Sequence, residues 1–228
     1  MPEIIKATTL IDLKRTLGEI ELLSGSPPSE GSIASKIDKK ERGAIRKAVK
    51  SGINVEITNN PKDIDECYRL YFEMTKRNYL HTIKKEAIFT KDRSTLVAKY
   101  NNKIISFMTV GDESERWDQK TGTLIANATN AEYRILQPNA LLYWESIKFF
   151  KNKGYEYLNL AGLDTRSQQE HLVAIDHFKR RWGGEEIVLR KKVDIFRWIY
   201  WKALRHFKFF RYLNYKLQKL FIKERTFE

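Results

Sequence analysis

Phe178-Lys179-Arg180-Arg181-Trp182-Gly183-Gly184 sets three consecutive cations between two aromatic residues and closes on paired glycines. Residues 168–182 carry a helical pattern up to this run, and residues 185–193 beyond it read as a strand. The run therefore ends a helix and turns the chain into a strand, a setting that suits a bound anion. A plainer reading stands beside it. Cations in a last helical turn complement the helix dipole, and glycine just beyond is an ordinary stop signal. On that reading Arg180 and Arg181 face solvent, and Gly183 and Gly184 serve the backbone of the turn.

Working back toward the N-terminus, residues 155–160 (YEYLNL) alternate, with Leu158 and Leu160 on one side and Tyr155, Tyr157 and Asn159 on the other. A loop with Gly162 and Asp164 joins this strand to the helix. Before it, Pro138-Asn139 precede a helix over 140–153, closed by Gly154. Leu141, Leu142, Trp144, Ile147, Phe149 and Phe150 cover most of its circumference, which predicts a buried helix. Further upstream lie strands at 95–100 and 104–110, joined by the hairpin signal Asn101-Asn102, and a third at 121–129. Two helices precede them, one over 39–51 and one opened by the cap and first-turn proline Asn60-Pro61. In the first, Arg42, Arg46 and Lys50 recur every four residues, which reads equally as a solvated basic face or a phosphate-binding row. Residues 8–13 form a strand, and 24–32 (SGSPPSEGS) form a loop or linker.

This order predicts an α+β fold, a mixed and mostly antiparallel sheet flanked by helices. The expected organisation is an N-terminal strand/helix segment and linker over 1–32, a domain over 33–193, and a tail over 194–228. The tail interleaves Phe196, Trp198, Trp201, Leu204 and Phe207 with Arg197, Lys202, Arg205 and Lys208. It reads as a basic amphipathic helix suited to an anionic membrane surface, or else as a terminal helix docked on protein.

The chain has 228 residues, 42% hydrophobic, with a formal net charge of +13. Hydrophobic content on that scale builds a real core. The charge suits polyanions: nucleic acid, anionic lipid or a phosphate-bearing substrate. Cys67 is the single cysteine, so no intramolecular disulfide forms. The four histidines fall outside metal-ligand spacing, and no metal site is expected. No signal peptide or bilayer-spanning run stands out, which predicts a cytoplasmic protein, peripheral at the inner face of the cell membrane if the tail binds lipid.

Four segments resemble the FemAB-like acyltransferases, relatives of the peptidoglycan bridge-forming aminoacyltransferases within the GNAT superfamily. They are Lys39 to Gly52 (KKERGAIRKAVKSG), Tyr68-Arg69-Leu70-Tyr71 with Glu73, Tyr133 to Ile147 (YRILQPNALLYWESI), and Phe178-Lys179 with Trp182-Gly183-Gly184-Glu185. The likeness is to the second of the two GNAT-like halves of the bridge-forming enzymes. It implies a GNAT-like fold and transfer of an acyl or aminoacyl group to an amine, with a cell-envelope precursor or lipid-linked glycan as acceptor. It puts Lys179 near a phosphate or the reacting carbonyl, as an electrostatic clamp. Arg46 and Arg134 become candidates for phosphate contact, Tyr133, Asn139, Tyr157 and Asn159 for substrate contact, and Gly183 and Gly184 for the turn beside it. Glu73, Glu145 and Asp164 are the carboxylates available as a base.

The donor implied is aminoacyl-tRNA or acyl-CoA, with no tightly bound cofactor and no DNA partner. Acetyl-CoA enzymes of the superfamily usually carry a glycine-rich loop whose N–H groups cradle pyrophosphate. The matching stretch here, Arg134 to Asn139, has no glycine, and Pro138 lacks an N–H. A homodimer or a partner protein is the expected source of the missing half. The two rival readings are a CoA-dependent N-acyltransferase and a non-catalytic module that binds anionic membrane or RNA.

Overall fold

A computed structural model describes residues 3–78, 80, 82–163, 170–192 and 199. The elements run β1 (Glu3–Asp12), α1 (Glu19–Ser24), α2 (Ile33–Lys36), α3 (Lys39–Lys50), β2 (Asn54–Thr58), α4 (Pro61–Arg77), α5 (Lys85–Ile88), β3 (Ser94–Tyr100) and β4 (Lys103–Asp112). Then follow α6 (Ser114–Trp117), β5 (Thr121–Thr129), a 3-10 segment (Ala131–Leu136), α7 (Pro138–Asn152), β6 (Tyr157–Leu163), α8 (Glu170–Arg180) and β7 (Glu185–Lys192).

Local chemistry sets most of these limits. Asp38 caps α3 by accepting from the Lys40 N–H, and Asn60 caps α4 by accepting from Lys62, with Pro61 in the first turn. Asn101 and Asn102 both take positive φ, 49° and 61°, as the two-residue turn between β3 and β4 requires. In α7, Leu141, Leu142, Trp144, Ile147 and Phe150 are buried, as the apolar circumference predicts.

The seven strands lie in the order β2-β3-β4-β5-β6-β1-β7. Every neighbouring pair is antiparallel except β5 and β6. One core gathers α3, α7 and the sheet around Ile45, Met108, Trp144, Leu158 and Trp182. A second gathers Cys67, Leu70 and Tyr71 of α4 with Val97, Phe107 and Ala128 of the sheet. The α+β expectation stands.

Two features depart from the sequence reading. The short helices α2, α5 and α6 and the strand β2 were not anticipated. Their residues are few, and β2, although Val55 and Ile57 alternate with polar residues, is an edge strand that leaves Ile57 exposed. The boundary expected after residue 32 does not separate two cores, because β1 lies inside the sheet, paired to both β6 and β7. The tail over 194–228, apart from Ile199, lies outside the described residues, as does Asp164.

Candidate functional site

The parallel pairing of β5 with β6 lasts three residues: Thr121 to Tyr157, Gly122 to Leu158 and Thr123 to Asn159. Beyond that point β5 follows β4 and β6 follows β1, so the two strands part. A bulge helps to turn β5 away. Thr109 faces Ala126 and Val110 faces Leu124, which leaves Ile125 as the extra residue. The wedge so opened is a cleft of about 750 Å³. Its walls are residues 124–129 of β5, Leu160 and Ala161 of β6, the start of α7 and one side of α8.

Lys179 reaches this cleft from the last turn of α8. It is 9% exposed, and its Nζ donates to the Gly162 carbonyl at 2.8 Å. An ammonium carries three donors. The other two have no partner among the described residues. Burial pulls the Lys179 pKa down to about 8, opposed by the charge of Asp176 one turn earlier. Asp176 is itself buried, and desolvation raises its pKa against the pull of Arg180 and Lys179.

The start of α7 forms the facing wall. Gln137 is left-handed (φ 63°) and Pro138 has no N–H, so this helix start offers fewer free donors than usual. Asn139 accepts from the Asn127 side-chain amide at 2.9 Å, which ties α7 to β5. Arg134 lines the cleft on an exposed turn. Arg77, at the end of α4, lies near enough that burial first, and then the Arg134 charge, hold its pKa below the usual arginine value. Neither arginine makes an ion pair with a carboxylate among the described residues. Arg134 lines the cleft beside Met74 and Asn78, while Arg77 stands outside that lining and also feels the opposing charge of Glu73.

The residues singled out from sequence divide. Lys179, Arg134 and Asn139 share the cleft. Tyr157, Gly183 and Gly184 line a second cavity of about 440 Å³ on the other side of Trp182. There the Tyr157 hydroxyl accepts from Lys14 at 2.8 Å. The glycines are needed by packing. A Cβ on Gly183 (φ 70°) would sit 2.2 Å from the Lys36 carbonyl oxygen, and one on Gly184 would sit 2.6 Å from that of Leu10. Arg46 is spent on structure, donating to the Leu22 carbonyl at 3.1 Å. Tyr133 packs on Tyr100 and under Lys103, away from the cleft.

Asn159 is 4% exposed, and both ends of its amide are engaged. Its Nδ2 donates to Glu113 at 2.7 Å, and its Oδ1 accepts from Thr8 and from the Ala161 N–H. Arg180 is exposed, as expected, whereas Arg181 is half-buried. Arg180 pairs with Glu186 at 2.6 Å and Arg181 with the buried Glu41 at 2.7 Å. Of the carboxylates considered as a base, Glu73 is paired with Arg69 and Glu145 with Lys148. The sequence reading gave Arg77 no role, because a cation in a last helical turn is explained by the dipole alone. Only the effect of the Arg134 charge on it marks it out.

No family model matches the chain, and no curated protein sequence matches it. Solved structures do. The C-terminal domain (DUF2156) of a putative lysylphosphatidylglycerol synthetase from Agrobacterium fabrum aligns with a TM-score of 0.62 at 14% identity, over 89% of this chain and 66% of that one. FemX aligns with a TM-score of 0.59 at 13% identity, over 86% of this chain and 63% of that one. L-PGS from Bacillus licheniformis gives a TM-score of 0.57 at 12% identity, over 90% and 68%. The chain thus spans about two thirds of the length of these structures. It has the fold of FemX and of the lysylphosphatidylglycerol synthetase domain, the fold that its resemblance to FemAB-like GNAT acyltransferases implied.

Proposed function

We propose that this chain is an acyltransferase that moves an acyl or aminoacyl group from an activated ester or thioester to an amine. The observation that carries this reading is the cleft between β5 and β6, lined by a buried lysine with two donors that have no partner among the described residues. In such a site a fixed cation counts for more than in water, because the surroundings screen it less. The amine nitrogen bonds to the carbonyl carbon, and the carbonyl oxygen takes up negative charge beside the Lys179 ammonium. The bond to the leaving oxygen or sulfur then breaks, and the amine's proton departs with it.

Aminoacyl-tRNA is the donor we favour. Arg134 on the cleft wall offers a cation for a phosphodiester, with the Arg77 charge nearby, whereas the start of α7 is poor in the N–H groups that cradle a pyrophosphate. The acceptor is an amine on a cell-envelope precursor or lipid-linked glycan, with a second copy or a partner protein completing its wall. Among the described residues no helix is long and apolar enough to cross a membrane. Contact with anionic lipid is assigned to residues 194–228, and deleting them should abolish binding to anionic vesicles.

Mass spectrometry of lipid-linked glycans and muropeptides tests the function. Cells with the protein should show a mass increment that is missing in cells lacking it and in a Lys179→Ala strain. An increment that persists in the Lys179→Ala strain overturns the assignment of Lys179. An increment supported in vitro by acyl-CoA and not by aminoacyl-tRNA overturns the donor.

A further inference from the structure

Ala161 is left-handed (φ 63°) in the middle of a strand, where alanine is strained. The reason lies in the register of β1 on β6. Leu10 faces Asn159 and Thr8 faces Gly162, so β6 carries one residue more than β1 across this step. The strand absorbs the extra residue as a bulge, at the position where glycine is normally found. Asn159 holds that bulge from within. Its side-chain oxygen accepts the Ala161 N–H at 2.9 Å, while the single Thr8 hydroxyl proton is shared between that oxygen and the Ala161 carbonyl, the latter at 3.0 Å. The next carbonyl along, that of Gly162, is the one that accepts from Lys179.

We propose that Asn159 is a positioning residue for Lys179: by fixing the left-handed turn at Ala161, it aims the Gly162 carbonyl at the Lys179 ammonium and sets how deeply that ammonium sits in the cleft. Asn159 then acts through Ala161 and Gly162 and touches no substrate. This rests on the reading of Lys179 given above, but its test does not need the acyl-transfer reaction. Burial is the larger cause of the depressed Lys179 pKa, so a bulge that relaxes and admits water should let that pKa climb.

The experiment is competitive labelling of the full chain with acetic anhydride across pH, reading Lys179 by peptide mass spectrometry. In the unaltered chain Lys179 should become reactive with a midpoint near 8. Asn159→Ala should move the midpoint upward by about one pH unit or more, toward the roughly 10.4 of a solvated lysine. Ala161→Gly added to Asn159→Ala should restore it, because glycine takes positive φ without help. Thr8→Val should shift it in the same direction by less, and it keeps the proposal testable if Asn159→Ala does not fold. An unchanged midpoint in the folded Asn159→Ala or Thr8→Val chain overturns the proposal. So does a shift that Ala161→Gly fails to reverse. Loss of acyl transfer in Lys179→Ala bears on the function and leaves this result untouched.

Discussion

Lys179 is held at a cost. Its pKa in the folded chain is about 8, against roughly 10.4 for a free lysine. Below about pH 8 both states carry the proton, and the penalty for burying the charge is present in full. Between about 8 and 10.4 the folded state sheds its proton first, so the penalty fades as pH rises. Lys179→Met should therefore stabilise the chain at pH 7 by roughly 2–3 kcal/mol, a gain that vanishes above about pH 10. Chemical denaturation at pH 7 and pH 10.5 checks it. The same substitution should abolish transfer, since the oxyanion loses its cation. In the unaltered chain, transfer should decline above about pH 8 as the ammonium is lost. Lys179→Arg keeps its charge and should lack that alkaline limb in a pH profile, whatever its absolute rate. Asn159 shows where residue-level reading stops. Alternation placed it opposite Leu158 and Leu160, on a face taken to be polar and open. Yet Asn159 is as buried as they are, because β1 pairs across it and Glu113 closes over its amide.

At the scale of elements, α8 is fixed to α3 by a clamp that brings its last turn to the cleft. Glu41 is buried and pairs with Arg181, and the Asp38 N–H donates to the Arg181 carbonyl at 2.8 Å. The two partners are unequal. Arg181 is partly exposed, so Glu41→Gln leaves a cation that water can reach and should cost about 1–2 kcal/mol. Arg181→Ala strands a buried carboxylate and should cost about 3–5 kcal/mol. Equal losses in urea melts of the two variants would show that Glu41 is hydrated in both. Gly184→Ala, with its Cβ forced against the Leu10 backbone, should also destabilise the chain by about 3 kcal/mol. Elements with caps and long periods were legible: α3, α4 and α7 follow their sequence patterns closely. The strand β2 was not, because its alternation of Val55 and Ile57 with polar residues spans only five positions, too short a run to separate from loop.

For the molecule as a whole, the cleft is a product of topology, and that is why the sequence concealed it. Each strand beside it could be found from its own residues. The parting of β5 from β6 depends on a register that stops after three pairs and on which neighbours each strand then follows. Three of the nine proposed site residues, Lys179, Arg134 and Asn139, fell on this wedge because motif spacing tracked helix ends correctly. Arg46 and Tyr133 had side chains of the right kind in the wrong part of the fold. The placement of β1 has a further reach. Removing residues 1–12 would leave β6 and β7 without the strand that joins them, so the truncated chain should fail to give a cooperative thermal transition. The same strand is synthesised about 145 residues before its partners. At ribosomal speeds it waits on the order of ten seconds with its hydrogen-bonding edges unsatisfied. A chaperone that shields extended segments, or a pause late in translation, would then govern the yield of native protein more strongly than any change inside the core.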